Sequence, residues 1–228
     1  MRLSNVVLKS PDVGSRLSSV EVMQGSLVNG RERVLVNASN TNGQLGSGVS
    51  GAIRRACGGA GFQEHILTAL NARFGGPMAP GEVLVTEAGA HPTAKWVAHV
   101  AVMDYREGIH GGSFPDTQRI REACARLWEA LEQLDEADLS VAMVALGAGT
   151  GGLSLRESVE LACSTLGEHL RAREHSRLGR VVFYGYNLPE YIATVDVVSR
   201  HFELPEGSVS REVLDFVERG REQERRGR

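Results

Sequence analysis

Ser140-Val141-Ala142-Met143-Val144-Ala145-Leu146 runs into Gly147-Ala148-Gly149-Thr150-Gly151-Gly152 and then Leu153-Ser154. The apolar run is the clearest buried strand of the chain, and glycine ends it. Ser154 with Glu157 forms a capping box, so a helix starts at once. A second stretch has the same shape. Val34-Leu35-Val36 reads as a short strand, Gly46-Ser47-Gly48-Val49-Ser50-Gly51 follows, and a helical pattern comes next. Both loops fit Gly-x-Gly-x-x-Gly. Glycine lets backbone N–H groups approach an anion, and a helix N-terminus adds partial positive charge. Two such loops in one strand–loop–helix context read as two walls of one site, built for a ligand with two phosphates.

Outward from these loops, strand and helix signals alternate. Strands are expected at Val6 to Lys9, Val20 to Met23, Arg33 to Asn37, Glu82 to Thr86, Trp96 to Val102, Ser140 to Leu146 and Val181 to Tyr186. Ser50 is a candidate cap for a short helix that stops at Gly58-Gly59. Phe62 to Phe74 is a second helix, ended by Gly75-Gly76-Pro77. Asp116 can cap a long helix to about Leu134, with Ile120, Cys124, Leu127 and Leu131 on one face. Further helices are expected from Ser154 to about Arg173, from Pro189 to His201 and from Ser210 to Arg219, before a charged tail from Arg221 to Arg228. The alternation defines an α/β protein with a mixed, mainly parallel sheet and helices on both faces. Ligands of such sheets bind at strand carboxyl ends, where neighbouring loops diverge. Residues 1–205 read as one domain, and residues 206–228 as a helical, charged C-terminal extension.

The 228 residues carry a net charge of −3, which offers no electrostatic footprint for duplex DNA or an anionic membrane. Phosphate binding must then come from backbone N–H groups. No apolar run approaches a membrane span and the first ten residues lack a signal-peptide core, so the expected location is cytoplasmic. The odd count of three cysteines, Cys57, Cys124 and Cys163, argues against a disulfide framework and for reduced core residues. The seven histidines are scattered, and neither a metal site nor a cofactor is expected.

Asn37-Ala38-Ser39-Asn40-Thr41-Asn42 precedes the first loop, a dense set of neutral donors and acceptors at a strand end. It suits a turn, and more so the hydroxyls of a ribose, with Asn40 best placed. The Gly147 to Gly152 loop lacks the lysine of a nucleoside-triphosphate loop. A dehydrogenase-type dinucleotide site needs its motif after the first strand, with an acidic residue about twenty positions on. Both requirements fail here, because the motifs fall mid-chain and late and Glu168 lies in a helix. Tyr184 and Tyr186 flank Gly185, and alternation puts both on one face, either covering a core edge or stacking on a base. His99 reads as a satisfied core histidine, and Asp104 and Tyr105 follow its strand.

Several segments resemble the macrodomain family in order. Val34 to Asn40 with Leu45 to Ile53 is similar to the family's strand ending in Asn-Ala-Ala-Asn, its glycine loop and its short helix. Pro80 to Thr86 with Gly89, Trp96 to His99, Ala145 to Leu153 and Val182 to Asn187 resemble its later strands and its second phosphate loop. The resemblance spans about Val20 to Phe202. It implies a three-layer α/β/α sandwich that binds ADP-ribose, free or attached to a protein. It further implies that Asn40 meets the distal ribose, and that Gly46, Ser47, Gly48 and Val49 wrap the diphosphate together with Ala148, Gly149, Thr150, Gly151, Gly152 and Leu153, with Ser50 and Gly147 in the same ligand site. Ser26 and Leu27 would line the adenine pocket, with Tyr186 and Asn187 near the adenine or proximal ribose.

Two departures bear on function. Family members usually have Gly-Asp-Ile where this chain has Gly25-Ser26-Leu27. Ser26 accepts a hydrogen bond without charge assistance, which bears on adenine affinity and selectivity. Hydrolytic members often carry Asp where this chain has Ser50, and serine is no comparable base near pH 7. The paired glutamates of poly(ADP-ribose) glycohydrolases are absent from the first loop as well. The first reading is therefore a binding module. The second is a hydrolase of ADP-ribosylated protein, O-acetyl-ADP-ribose or ADP-ribose-1''-phosphate, in which Asn40 and the ligand's own phosphate hold the water and Asp104 or His110 assists. The third is a binder of another nucleotide diphosphate or an RNA end.

Overall fold

The computed structural model describes residues 17, 19–173 and 175–226. The strand expected at Val6 to Lys9 lies outside them. The elements follow in the order β1 (Ser19–Gln24), β2 (Val34–Asn40), α1 (Gly48–Ala56), α2 (Ala60–Phe74), β3 (Val83–Glu87), β4 (Trp96–Met103), α3 (Thr117–Leu131), β5 (Leu139–Met143), α4 (Leu155–Ala172), β6 (Leu178–Gly185), α5 (Leu188–His201) and α6 (Arg211–Arg226).

The six strands lie in the order β1-β6-β5-β2-β4-β3. All pairings are parallel except that of β3, the antiparallel edge against β4. Alternation along the strands sorts the core into two layers. Val34 and Val36 join Val100, Val141 and Val181 under α3, α4 and α5, where Leu127, Trp128, Cys163 and Val198 complete the larger cluster. Leu35 joins Val97, Ala142 and Val182 on the other face, against Ile53 of α1 and Phe62 and Ile66 of α2. Side chains on a strand point alternately up and down, so each buried strand supplies both layers. The result is the expected three-layer α/β/α sandwich. The three cysteines are free and buried. Burial pushes the Cys57 thiol up to about 11 and the Cys124 thiol up to about 12.

Some boundaries differ from expectation for identifiable reasons. β5 stops at Met143, although the apolar run continues to Leu146. The ladder between β2 and β5 covers Val34↔Val141 and Leu35↔Ala142 and then ends. Leu146 is buried in the larger core cluster beyond the strand end. Its apolarity serves packing, not pairing. β2 runs on to Asn40 because Asn37, Ala38 and Ser39 keep pairing with β4. Helix α1 begins at Gly48 with Ser47 in the extended capping position, so Ser50 sits inside the first turn and is not the cap. α3 is capped by Asp116, whose carboxylate accepts from the Arg119 N–H, and it ends at Leu131. The charged segment after Arg219 is not a tail: α6 continues through it to Arg226. Val217 of α6 and the preceding Val209 are buried in the larger cluster.

Candidate functional site

Parallel strands bring their carboxyl ends to one rim. Gly25, Ser26 and Leu27 leave β1, Tyr186 and Asn187 leave β6, the second glycine loop leaves β5, and the run from Thr41 to Ser50 leaves β2. Hydrogen bonds level this rim: the Gly25 N–H donates to Gly185 O and the Thr41 N–H to Met103 O, each at 2.9 Å. β2 and β5 are neighbours at their starts but part after Leu35 and Ala142. Beyond that fork β2 pairs with β4 and β5 with β6, so a gap opens in the sheet between the two glycine loops. This is the topological switch point at which open α/β sheets bind ligands.

The loop from Gly147 to Leu153 is a short 3-10 turn, Gly149–Gly151, closed at its base by the Leu153 N–H donating to Gly147 O at 3.1 Å. Gly147 has φ +77°, and a Cβ there would lie 2.7 Å from Ile120 Cδ1. Glycine is demanded at that position by both backbone and packing. Gly149 also has positive φ, +68°, but a Cβ there would project into open space. Thr150, Gly149 and Gly152 are exposed, Ala148 and Leu153 are half-buried, and Gly151 is buried against Pro115.

In the first loop, Gly46, Ser47 and Gly48 are exposed and Val49 and Ser50 half-buried at the start of α1. The first N–H groups of a helix have no acceptor within it and face outward. Asn40 shapes this loop through its own amide. Its Nδ2 donates to Gln44 O at 2.8 Å, and its Oδ1 accepts from the N–H of Asn42 at 3.0 Å and of Gln44 at 3.3 Å. A primary amide has two N–H bonds, so one further donor remains beside the bond to Gln44.

Ser50 turns inward. Its hydroxyl lies 2.8 Å from Asn37 Oδ1 and 3.1 Å from Ala38 O. Asn37 Nδ2 in turn meets His99 Nδ1 at 3.1 Å, and His99 Nε2 meets Thr86 Oγ1 at 3.1 Å. An amide nitrogen can only donate, so His99 Nδ1 accepts and Nε2 carries the proton. This chain of polar side chains ties the first glycine loop through the sheet to its far edge strand. His99 is thus the satisfied core histidine expected. Its contact with Asn37 follows from strand register, because the two residues are direct partners on β2 and β4.

Complete burial, with a smaller effect of His65, pushes the His99 pKa down to about 3. The imidazole is neutral in the fold, whereas an unfolded one takes up a proton below about 6.5. Stability is therefore intact above pH 6.5 and is lost as pH falls toward 3. The expected loss from this residue between pH 7 and pH 5 is about 2 kcal/mol. Urea unfolding at the two pH values checks it, and a His99→Gln variant should show a correspondingly shallower dependence.

The β1–β6 end of the rim holds the other expected residues. Ser26 is half-buried in the extended position before a 3-10 turn and makes no capping hydrogen bond. Leu27 is 1% exposed, so its side chain belongs to the core and only its backbone can line a pocket. The two tyrosines differ in burial, because β6 ends between them at Gly185. Tyr184 is buried, with its hydroxyl donating to Glu32 Oε2 at 2.9 Å, while Tyr186 lies past the strand end and is 72% exposed. Asn187 caps α5: its Oδ1 accepts from the Glu190 N–H, and its Nδ2 donates to Glu190 Oε1.

Asp104 and Tyr105 follow β4 beside the first loop, where Asn42 Nδ2 donates to Tyr105 O at 3.1 Å. Asp104 is held by Arg106 through contacts of 2.9 and 2.7 Å, which with lesser contributions bring its pKa down to about 2. The His110 Nδ1 accepts from the Gly112 N–H and caps a short turn. Two surface depressions, of about 310 and 270 Å³, lie elsewhere. They share Glu87 and Gly89 and sit at the amino end of β4, away from both glycine loops. Among the described residues, no three His, Cys, Asp or Glu side chains gather to hold a metal, and no helix is long and apolar enough to cross a membrane.

Sheet order, the fork between β2 and β5 and two glycine loops at the strand carboxyl ends define an α/β/α domain. The Macro domain family model matches residues 36–162, and the chain belongs to that family. An uncharacterized protein of Aeropyrum pernix is 32% identical over 151 residues, 66% of this chain and 70% of the relative. A Citrobacter rodentium protein named O-acetyl-ADP-ribose deacetylase is 30% identical over 156 residues, 68% of this chain and 82% of its own. Among solved structures, an Oceanobacillus iheyensis macrodomain mutant with ADPR superposes with a TM-score of 0.68 at 18% identity, covering 86% of this chain and 97% of that one.

Proposed function

We propose that this domain binds ADP-ribose, free or protein-linked, across the fork between β2 and β5. The observation that carries the reading is the pair of glycine loops on the two strands that part there. A diphosphate spans two such loops, and a net charge of −3 leaves backbone N–H groups as its natural partners. In this reading Gly46 to Val49 and Ala148 to Leu153 wrap the diphosphate, and Asn40 offers its remaining N–H to the distal ribose. Tyr186 gives an exposed ring for the adenine, beside Ser26, the Leu27 backbone and Asn187. The solved macrodomain with ADPR supports the choice of ligand.

Binding without rapid turnover is the favoured form. Ser50, at the position of a hydrolytic carboxylate, spends its hydroxyl on Asn37 and Ala38. Asp104, at a pKa of about 2 beside Arg106, is too weak a base near pH 7. Hydrolysis is the second reading, and the relative named O-acetyl-ADP-ribose deacetylase supports it.

Calorimetric titration with ADP-ribose, ADP and NAD tests the proposal. Micromolar binding selective for ADP-ribose is the expected result, and absence of heat and of thermal shift would end it. Release of acetate from O-acetyl-ADP-ribose would favour the second reading. Ser26→Asp should tighten ADP-ribose binding by about three- to tenfold, because a carboxylate accepts from the adenine amino group more strongly than a hydroxyl. An unchanged Kd in that variant would put Ser26 outside the adenine pocket.

A further inference from the structure

Three charged side chains, Glu21, Glu32 and Arg180, meet under the β1–β6 end of the sheet. Arg180 Nε and Nη2 hold Glu21 bidentately, each at 2.8 Å, and its Nη1 reaches Glu32 Oε1 at 2.8 Å. Ser19 donates to Glu21, and the Tyr184 hydroxyl donates to Glu32 Oε2 at 2.9 Å. The Glu21 carboxyl is held below its ordinary value chiefly by the Arg180 hydrogen bonds, against the opposing effect of burial. Glu21 and Arg180 already neutralise each other. Glu32 is the surplus carboxylate, and it is 1% exposed. Burying a charge that has only part of a guanidinium to itself costs free energy. The fold needs no second carboxylate to satisfy Arg180, so stability is a poor reason for Glu32.

Its position suggests what it does. Glu32 ends the β1–β2 connection whose other end carries Ser26, and Tyr184 lies two residues before Tyr186. The Glu32–Tyr184 bond therefore joins the two walls of the base-ward end of the site. Close approach is built into the connection. A Cβ on Gly30 would fall 2.1 Å from Glu32 Oε2 and 2.4 Å from the Tyr184 hydroxyl. From the outer side, His91 Nε2 meets Val28 O at 3.0 Å and Thr93 donates to Gly30 O at 3.2 Å. The connection is clamped at both flanks.

We infer that Glu32, through Tyr184 and Arg180, is a positioning residue that sets the spacing of Ser26 and Tyr186 and thereby the recognition of the nucleobase. The inference rests on the proposed ADP-ribose reading. It is specific to the base end, since the cluster touches neither glycine loop. A site wall that drifts by even a fraction of an ångström loses its directional contacts.

The test compares ADP-ribose with ribose 5-phosphate, a base-free probe of the phosphate and distal-ribose end, on the full chain. Glu32→Ala and Tyr184→Phe should each weaken ADP-ribose binding by about tenfold. Ribose 5-phosphate binding should stay within about twofold. Glu32→Gln should restore ADP-ribose binding, because its amide can still accept from Arg180 and donate to the Tyr184 oxygen. The inference is overturned if ADP-ribose affinity is unchanged in Glu32→Ala. It is equally overturned if both ligands weaken together, or if Glu32→Gln fails to rescue at an unchanged Tm. A wild-type chain that binds ribose 5-phosphate but gains nothing from the adenylate half overturns it too. Failure of the wild-type chain to bind either ligand instead removes the ADP-ribose reading, and this inference with it.

Discussion

Gly149→Val is expected to raise the Kd for ADP-ribose by at least about a hundredfold, a loss of roughly 3 kcal/mol, or two charge-assisted hydrogen bonds. Two features of the position produce this. A Cβ on Gly149 meets nothing of the protein within 4 Å, so the new side chain enters the space an anion would occupy. The residue also has φ +68°, a region where a β-branched side chain is strained by about 1–3 kcal/mol. Strain alone would distort the turn, so Gly149→Ala is the control: it shares the positive φ and adds little bulk. Valine should remove binding while alanine keeps a substantial part of it, read by calorimetry beside the thermal midpoint. Equal affinity of the valine variant and the wild type would show that this turn cradles no phosphate.

Asp196→Ala should give the largest loss of stability among surface-reaching charges. The carboxylate is only 5% exposed and gathers arginines from three helices: Arg156 of α4, Arg200 of α5 and Arg221 of α6. Arg221 also reaches Asp196 O and the Ser199 hydroxyl, which locks α6 onto α5. Removing the aspartate leaves three like charges together. Their side chains are a quarter to a half exposed, so they can turn to water, which limits the loss. The expected cost is roughly 2–4 kcal/mol, or about 5–12 °C in Tm. Burial works to raise the pKa of Asp196, but the hydrogen bonds from Arg156, Arg221 and Arg200 outweigh it and hold the group below its ordinary value. The stabilisation is thus present above about pH 4 and lost as pH falls further. The variant and the wild type should converge in acid. An Asp196→Ala difference that persists unchanged at pH 2.5 would assign the loss to packing instead.

The two charged clusters are invisible in the chain. Glu21, Glu32 and Arg180 stand on three separate strands and connections, and Asp196 meets arginines on three helices. No local spacing joins such residues. Ser50 departs from expectation for a related reason. As a serine near a helix start it is a fair cap, yet Ser47 takes that place and Ser50 faces Asn37 across the loop. Tyr184 and Tyr186 obey alternation only as long as the strand lasts, and β6 ends between them at Gly185.

Patterns of short range carried the rest. Apolar runs, glycine pairs and the caps at Asp116 and Ser154 depend on neighbours within a few residues, and they marked the α/β alternation, both glycine loops and nearly every element. These follow from backbone geometry and hydrophobic period, which a linear chain displays directly. Where β2 and β5 part, which tyrosine is buried, and which charges share a partner depend on contacts between residues distant in sequence. Such contacts exist only once the sheet order is set, and it is that order which puts the two glycine loops on neighbouring strands.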